Sequence, residues 1–139
     1  MAKADFDRDG DVDLIITNYK DRAHYYVNKV AKGHWLQIRL RGRQSNRDGV
    51  GSIIRIRARG DRQMRVISAG DGYASQFSRV AHFGLGENEV IEELEVLWPS
   101  GKKQLFEGVL ADQMIEIDED ATKARVIMAR KTASSPSGR

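Results

Sequence analysis

Asp5-Phe6-Asp7-Arg8-Asp9-Gly10-Asp11-Val12-Asp13 sets five carboxylates at alternating positions within nine residues. Packed so closely they repel one another unless a cation gathers them, and the glycine permits the tight bend that lets them converge. Calcium takes about six to eight oxygen ligands, so this loop predicts a calcium site. Asp5, Asp7, Asp9 and Asp13 are expected to ligate through their side chains and Asp11 through its backbone carbonyl. An EF-hand would need a glutamate twelve positions along, where Ile16 stands, and a helix after the loop, whereas Leu14-Ile15-Ile16-Thr17 is strand-like. The plainer alternative is an acidic, solvated terminus.

Other chemistry-bearing residues lie further along. Asn46 and Asp48 in Asn46-Arg47-Asp48-Gly49 can form a second ligand loop, although an Asx-type turn between strands is the simpler reading. Tyr73, Ser75 and Gln76, on the glycine-rich stretch from Gly70, can present polar and aromatic groups to a sugar or polyketide; they equally suit a structural corner. His82 titrates near neutrality and can serve as a general base. No carboxylate or nucleophile is spaced with it, so a histidine that holds a loop by hydrogen bonds is expected. Ser75, His82 and Asp71 co-occur, but a triad is recognised by geometry. No catalytic residue is assigned.

The formal charge is +3, unevenly spread. Nine arginines fall between Arg39 and Arg65, against Asp48 and Asp61. Placed on adjacent strands, Arg39, Arg41, Arg55, Arg57 and Arg59 would share a basic sheet face suited to a polyanion; the alternative is a solvated face paired with the glutamates of Val90–Trp98. Nucleic acid is disfavoured, because these strands lack the aromatics that stack bases. Cysteine is absent, which excludes disulfides and thiolate metal sites. No apolar run approaches the ~20 residues of a membrane span, and no secretory signal precedes the aspartates.

The elements that must position these groups read as strands. Asp13–Thr17 and His24–Val27 form a predicted hairpin. Trp35–Arg41 alternates, with Leu36, Ile38 and Leu40 on one face and Gln37, Arg39 and Arg41 on the other. Ile54–Arg59 alternates likewise, and Gly60-Asp61 turns the chain into Arg62–Ser68. Gly84-Leu85-Gly86 is a loop signal. Val90–Trp98 is a longer strand, followed by a Pro99-Ser100-Gly101 turn and a partner at Gln104–Phe106; Gln113–Asp118 closes the ordered part. Eight or nine strands at this spacing predict an all-β fold, a sandwich or barrel-like module. Ala121–Lys131 reads as a short helix from its helix-forming residues, and 132–139 as a disordered tail.

The aspartate loop with its following strand resembles a calcium loop of FG-GAP/VCBS β-propeller repeats. Downstream, Asn46-Arg-Asp-Gly-Val-Gly51, Gly70-Asp-Gly-Tyr-Ala-Ser-Gln76, His82-Phe-Gly-Leu-Gly86 and Leu94-Glu-Val-Leu-Trp-Pro-Ser-Gly101 resemble, in order, the blocks of the ASPIC/UnbV family. The resemblance implies a partial propeller-type hairpin over residues 4–28, an ASPIC/UnbV-like β domain over 35–119 and a tail over 120–139. It implies a module C-terminal to a propeller in secreted or envelope-associated proteins, hence a fragment of a larger protein.

The expected function is a calcium-binding, non-catalytic interaction module that takes a glycan or another protein. The rival implied by the family's bacterial members is a substrate-holding or catalytic part of an enediyne-type biosynthetic enzyme. An orphan hairpin also leaves open strand edges, so self-association is expected.

Overall fold

The computed structural model describes residues 1–7, 11–29, 33–70 and 78–129. Among these the protein is all-β, with eleven strands and no helix. A three-stranded antiparallel sheet comes first, in the order β1 (Ala2–Ala4), β2 (Asp13–Ile16), β3 (His24–Tyr26). The expected hairpin is β2–β3, with Leu14 opposite Tyr26 and Ile16 opposite His24. β1 adds to the free edge of β2, an element too short to show in the pattern.

Two four-stranded sheets form the rest. One runs β11 (Arg125–Ala129), β10 (Gln113–Asp118), β4 (His34–Arg41), β7 (Ala81–Gly86). The other runs β6 (Asp61–Val66), β5 (Ile53–Ala58), β8 (Val90–Leu97), β9 (Lys103–Leu110). Their inner faces supply one core, where Leu36, Ile38, Phe83, Ile115 and Ile117 meet Ile54, Ile56, Ile91, Leu94 and Val96. Both tryptophans, Trp35 and Trp98, are buried. Period-2 alternation on β4, β5 and β8 produces this directly, because successive side chains point to opposite faces. The architecture is therefore an open sandwich and not a closed barrel.

The seam between edge strands β6 and β7 is closed by side chains. Gln63 Nε2 donates to the Gly84 carbonyl at 2.6 Å, and Arg65 Nε donates to the His82 carbonyl at 3.2 Å. The two donors are two residues apart, as are the two acceptors, so each bonds a carbonyl on the open edge of β7. Arg65 also lies over the Phe83 ring, 5.2 Å from its centre.

Three features differ from the sequence reading. Residues 121–131 hold no helix where described: β11 pairs antiparallel with β10, Met128 opposite Met114. The unfilled edge of β10 and the β-branched Val126 and Ile127 outweigh local helix propensity. Gly84-Leu85-Gly86 lies within β7, with Leu85 buried in the core. Most consequentially, β4 and β5 belong to different sheets. Arg39 and Arg41 therefore point away from the core on one side, and Arg55 and Arg57 on the opposite side. Arg59 is on neither face, since it begins the two-residue β5–β6 turn with Gly60, both at positive φ (45° and 87°), the conformation of a type I′ hairpin.

A buried carboxylate ties the loops at one end of the sandwich. Glu119 is fully buried. Its Oε2 accepts the backbone amides of Arg43, Gln44 and Ser45 at 2.6, 2.8 and 2.8 Å. Its Oε1 accepts the hydroxyls of Ser45 and Ser100 at 2.8 and 2.6 Å. Burial alone would raise this carboxyl, but the Ser100 hydroxyl, the amides of Arg43 and Ser45 and the Ser45 hydroxyl outweigh it and hold it at about 2. Beside it, Gln104 accepts from Trp98 Nε1 at 2.5 Å and donates to the carbonyls of Asp118, Glu119 and Ala121. The Pro99-Ser100-Gly101 turn is thus fastened both to the 43–45 loop and to the chain after β10.

Candidate functional site

Asp13, the first residue of β2, organises the aspartate loop. It is 1% exposed. Its Oδ2 accepts the Phe6 amide and the Tyr25 hydroxyl, each at 3.1 Å, and its Oδ1 accepts the Asn28 amide at 2.9 Å. Burial would raise its carboxyl; the Asn28 and Phe6 amides and the Tyr25 hydroxyl lower it further, so the net direction is below the ordinary carboxylate value. Phe6 packs edge-on against Tyr25 with ring centres 5.8 Å apart, which fixes the strand entering the loop against β3. Replacing Asp13 with alanine would leave these donors unmatched. Amide exchange at Phe6 and Asn28 is expected to quicken by roughly 30-fold, the equivalent of about 2 kcal/mol. Unchanged exchange would remove Asp13 from this organising role.

Asp5, Asp7 and Asp13 each bring an oxygen to within 4.8 Å of the others. That span suits a calcium ion, because ligands on opposite sides of a sphere of radius about 2.4 Å stand about that far apart. The donor set is all oxygen, as a hard cation requires, and it comes from three carboxylates on one short stretch of chain. The residues present therefore fit a divalent cation. Asp9 lies outside the described residues; Asp11 sits on the segment leading into β2.

Asp5 also touches the sandwich. Its Oδ2 accepts Gln37 Nε2 at 2.7 Å. Sequence alternation assigns Gln37 to a solvent face, yet it is 6% exposed, because the chain before the loop covers the outer face of β4 there. Nothing local in the sequence signals this cover. His82, on the neighbouring β7 and paired in register with Gln37, has its Nδ1 sealed from solvent without a hydrogen-bond partner. Burial pushes this histidine down, Asp5 opposes the shift, and Arg65 adds to it.

The remaining candidates are dispersed. Asn46 closes a turn on itself, Nδ2 donating to the Val50 carbonyl at 2.7 Å and Oδ1 accepting the Val50 amide at 2.9 Å. Asp48 pairs with Arg79. Tyr73, Ser75 and Gln76 lie outside the described residues, as does Asp71. Arg55 pairs with Glu95 at 2.7 Å, and Arg57 pairs with Glu92 and Glu93 at 2.9 and 3.1 Å. Glu95, held also by Lys103 at 2.6 Å, is lowered by Lys103 and then Arg55. Sequence reasoning missed Gln37, Glu119 and Gln104. The single available hint was Pro99-Ser100-Gly101, whose serine is a ligand of Glu119 and not merely a turn former.

Comparison with known proteins follows the same residues. The family described as ASPIC and UnbV matches residues 42–124, more than half of the chain and inclusive of all four motif blocks. Cartilage acidic protein 1 of Xenopus tropicalis is 32% identical over 105 residues, which cover 73% of this chain and 16% of that protein. The Mus musculus protein of that name is 30% identical over 119 residues, covering 83% of this chain and 18% of the relative. The Homo sapiens protein is 32% identical over 102 residues, covering 70% and 15%. The chain thus spans less than a fifth of the length of the curated relatives it matches. With its sandwich, its four blocks in order and this extent of match, the chain belongs to the ASPIC and UnbV family.

Proposed function

We propose that this chain is a calcium-stabilised, non-catalytic interaction module of extracellular type. The observation that carries the reading is the convergence of Asp5, Asp7 and Asp13 on a space of calcium size, with Asp5 also held by Gln37 of the sandwich. A cation there would lock the first three strands and, through Asp5, press them onto β4. The β2–β3 hairpin with its loop is then a partial FG-GAP/VCBS-type repeat, and the parent protein is extracellular or envelope-associated, which the cartilage names of the relatives support. The partner is a glycan or another protein.

Calcium titration by calorimetry, paired with thermal melts, tests this. In wild type, saturating calcium is expected to raise the melting temperature by several degrees, since about 1–3 kcal/mol of linkage moves a domain of this size by that much. The Asp7→Ala, Asp9→Ala double variant is expected to show neither binding nor shift. Equal behaviour of the two proteins would sink the reading.

A further inference from the structure

Between the first strand and the outer face of the β11-β10-β4-β7 sheet lies a cleft of about 720 Å³. Its volume falls in the range of small-molecule sites, roughly 300–1,000 Å³. One wall is apolar: Val12, Val80, Met114, Ile127 and Met128 line it. The floor is basic, with Arg39 and Arg65 beside Gln37 and His82.

The state of those cations matters more than their number. Arg79, also in the lining, is neutralised by Asp48. Arg65 bonds only carbonyl oxygens, His82 O at 3.2 Å and Met64 O at 2.9 Å, which hold its guanidinium still without cancelling its charge. Arg39 is exposed and has no hydrogen-bond or ion-pair partner among the described residues. Asp5 is the one carboxylate among the described lining residues; Gln37, a neutral amide, holds it without cancelling its charge, and Arg39 and Arg65 together outnumber it. Across the sandwich the arrangement is reversed, because Arg55 and Arg57 are each matched by glutamates. Uncompensated positive charge is therefore concentrated in the cleft, next to apolar surface.

We infer that this cleft is the module's binding site for a small organic anion, a carboxylate or sulfate joined to an apolar body. Arg39 makes the charge-assisted contact, Arg65 supplies a fixed second cation, and the Val/Ile/Met wall takes the apolar part. The inference deepens the interaction-module reading and rests on it, but it does not require the cation.

The test is an NMR titration of the full ¹⁵N-labelled chain with 2-naphthoate as probe. 2-Naphthol serves as the uncharged counterpart and acetate as the bare charge. Saturable shifts are expected at the amides of Gln37, Arg39, Arg65 and His82, with naphthol and acetate each weaker by about tenfold or more. Arg39→Glu is expected to weaken naphthoate by about tenfold or more, and Arg55→Glu to change it less than about twofold. Arg39→Gln, which keeps a polar residue on an exposed position, provides a second variant whose spectrum reports folding directly. The inference is overturned if shifts do not saturate, if they map to β5 and β8, or if Arg55→Glu weakens binding as much as Arg39→Glu. Should naphthoate fail while calcium still raises the melting temperature, the cleft assignment alone falls; failure of calcium with retained naphthoate binding removes the metal and leaves the cleft.

Discussion

Glu119→Ala is expected to destabilise the protein by about 3–5 kcal/mol, read from denaturant midpoints at neutral pH. The loss has three parts: the amides of Arg43, Gln44 and Ser45 lose their acceptor, two hydroxyls lose theirs, and the loops at that end of the sandwich lose their common anchor. Against a total stability of about 5–15 kcal/mol, that is a large share. A loss below about 1 kcal/mol would show that the loops hold their positions without the carboxylate. The same group sets an acid limit. Its folded value of about 2 lies below its ordinary 4.5, so its stabilisation is complete above 4.5 and is lost as pH falls towards 2. The difference corresponds to about 3 kcal/mol. Asp13, Glu95 and Asp118 are lowered too, so wild type is compared with Glu119→Gln, which cannot titrate there. The stability gap between the two is expected to shrink by that amount between pH 4.5 and 2.

The second large effect is expected at Gly42, which opens the loop that Glu119 binds. A methyl group there would fall inside the contact distance of the Asn46 carbonyl oxygen and 2.9 Å from that of Ser45. Both obstacles are backbone, and that backbone is fixed by Glu119 and by the Gly42 amide bonded to Arg47 O at 3.0 Å. Gly42→Ala must therefore push the 43–46 segment off its carboxylate, at about 3 kcal/mol or more. Combined with Glu119→Ala, the two losses are expected to be clearly less than additive, because each breaks the same contacts. Full additivity would mean that the glycine acts independently of the anchor.

Much of the fold was legible because one face of most strands is buried. Leu36, Ile38 and Leu40, or Leu94, Val96 and Trp98, alternate cleanly, and their buried positions follow from period 2 alone. What was not legible depends on which strand neighbours which. The arginines of β4 and β5 look alike in sequence, yet sheet membership sends them to opposite surfaces, and no local pattern encodes that. The strand at Arg125–Ala129 was hidden for a related reason: Arg125, Met128 and Ala129 are good helix formers, and it is the open edge of β10, with the β-branched Val126 and Ile127, that makes the segment extended. At the aspartate loop the spacing pointed to Asp5, Asp7, Asp9, Asp11 and Asp13, of which Asp5, Asp7 and Asp13 stand together among the described residues. Gln37 could not be found, since its burial comes from a segment more than thirty positions away. Glu119 could not be told from the acids beside it, because a buried carboxylate and a solvated one are identical in sequence until their donors are known.

The parallel pairing of β4 with β10 has a consequence for how the chain reaches its native state. Ile38 lies beside Ile115 and Arg41 beside Asp118, so two central neighbours come from opposite ends of the sandwich sequence. The hairpins β5–β6 and β8–β9 can zip locally, but this pair must close a loop of some seventy residues before it gains any contact. Topologies dominated by such distant pairings fold on the millisecond-to-second scale. During synthesis, Trp35, Leu36 and Ile38 must wait until β10 has left the ribosome before their sheet can form. Until then β4 is an apolar strand with one side unpaired, the state in which this protein is most exposed to misassembly.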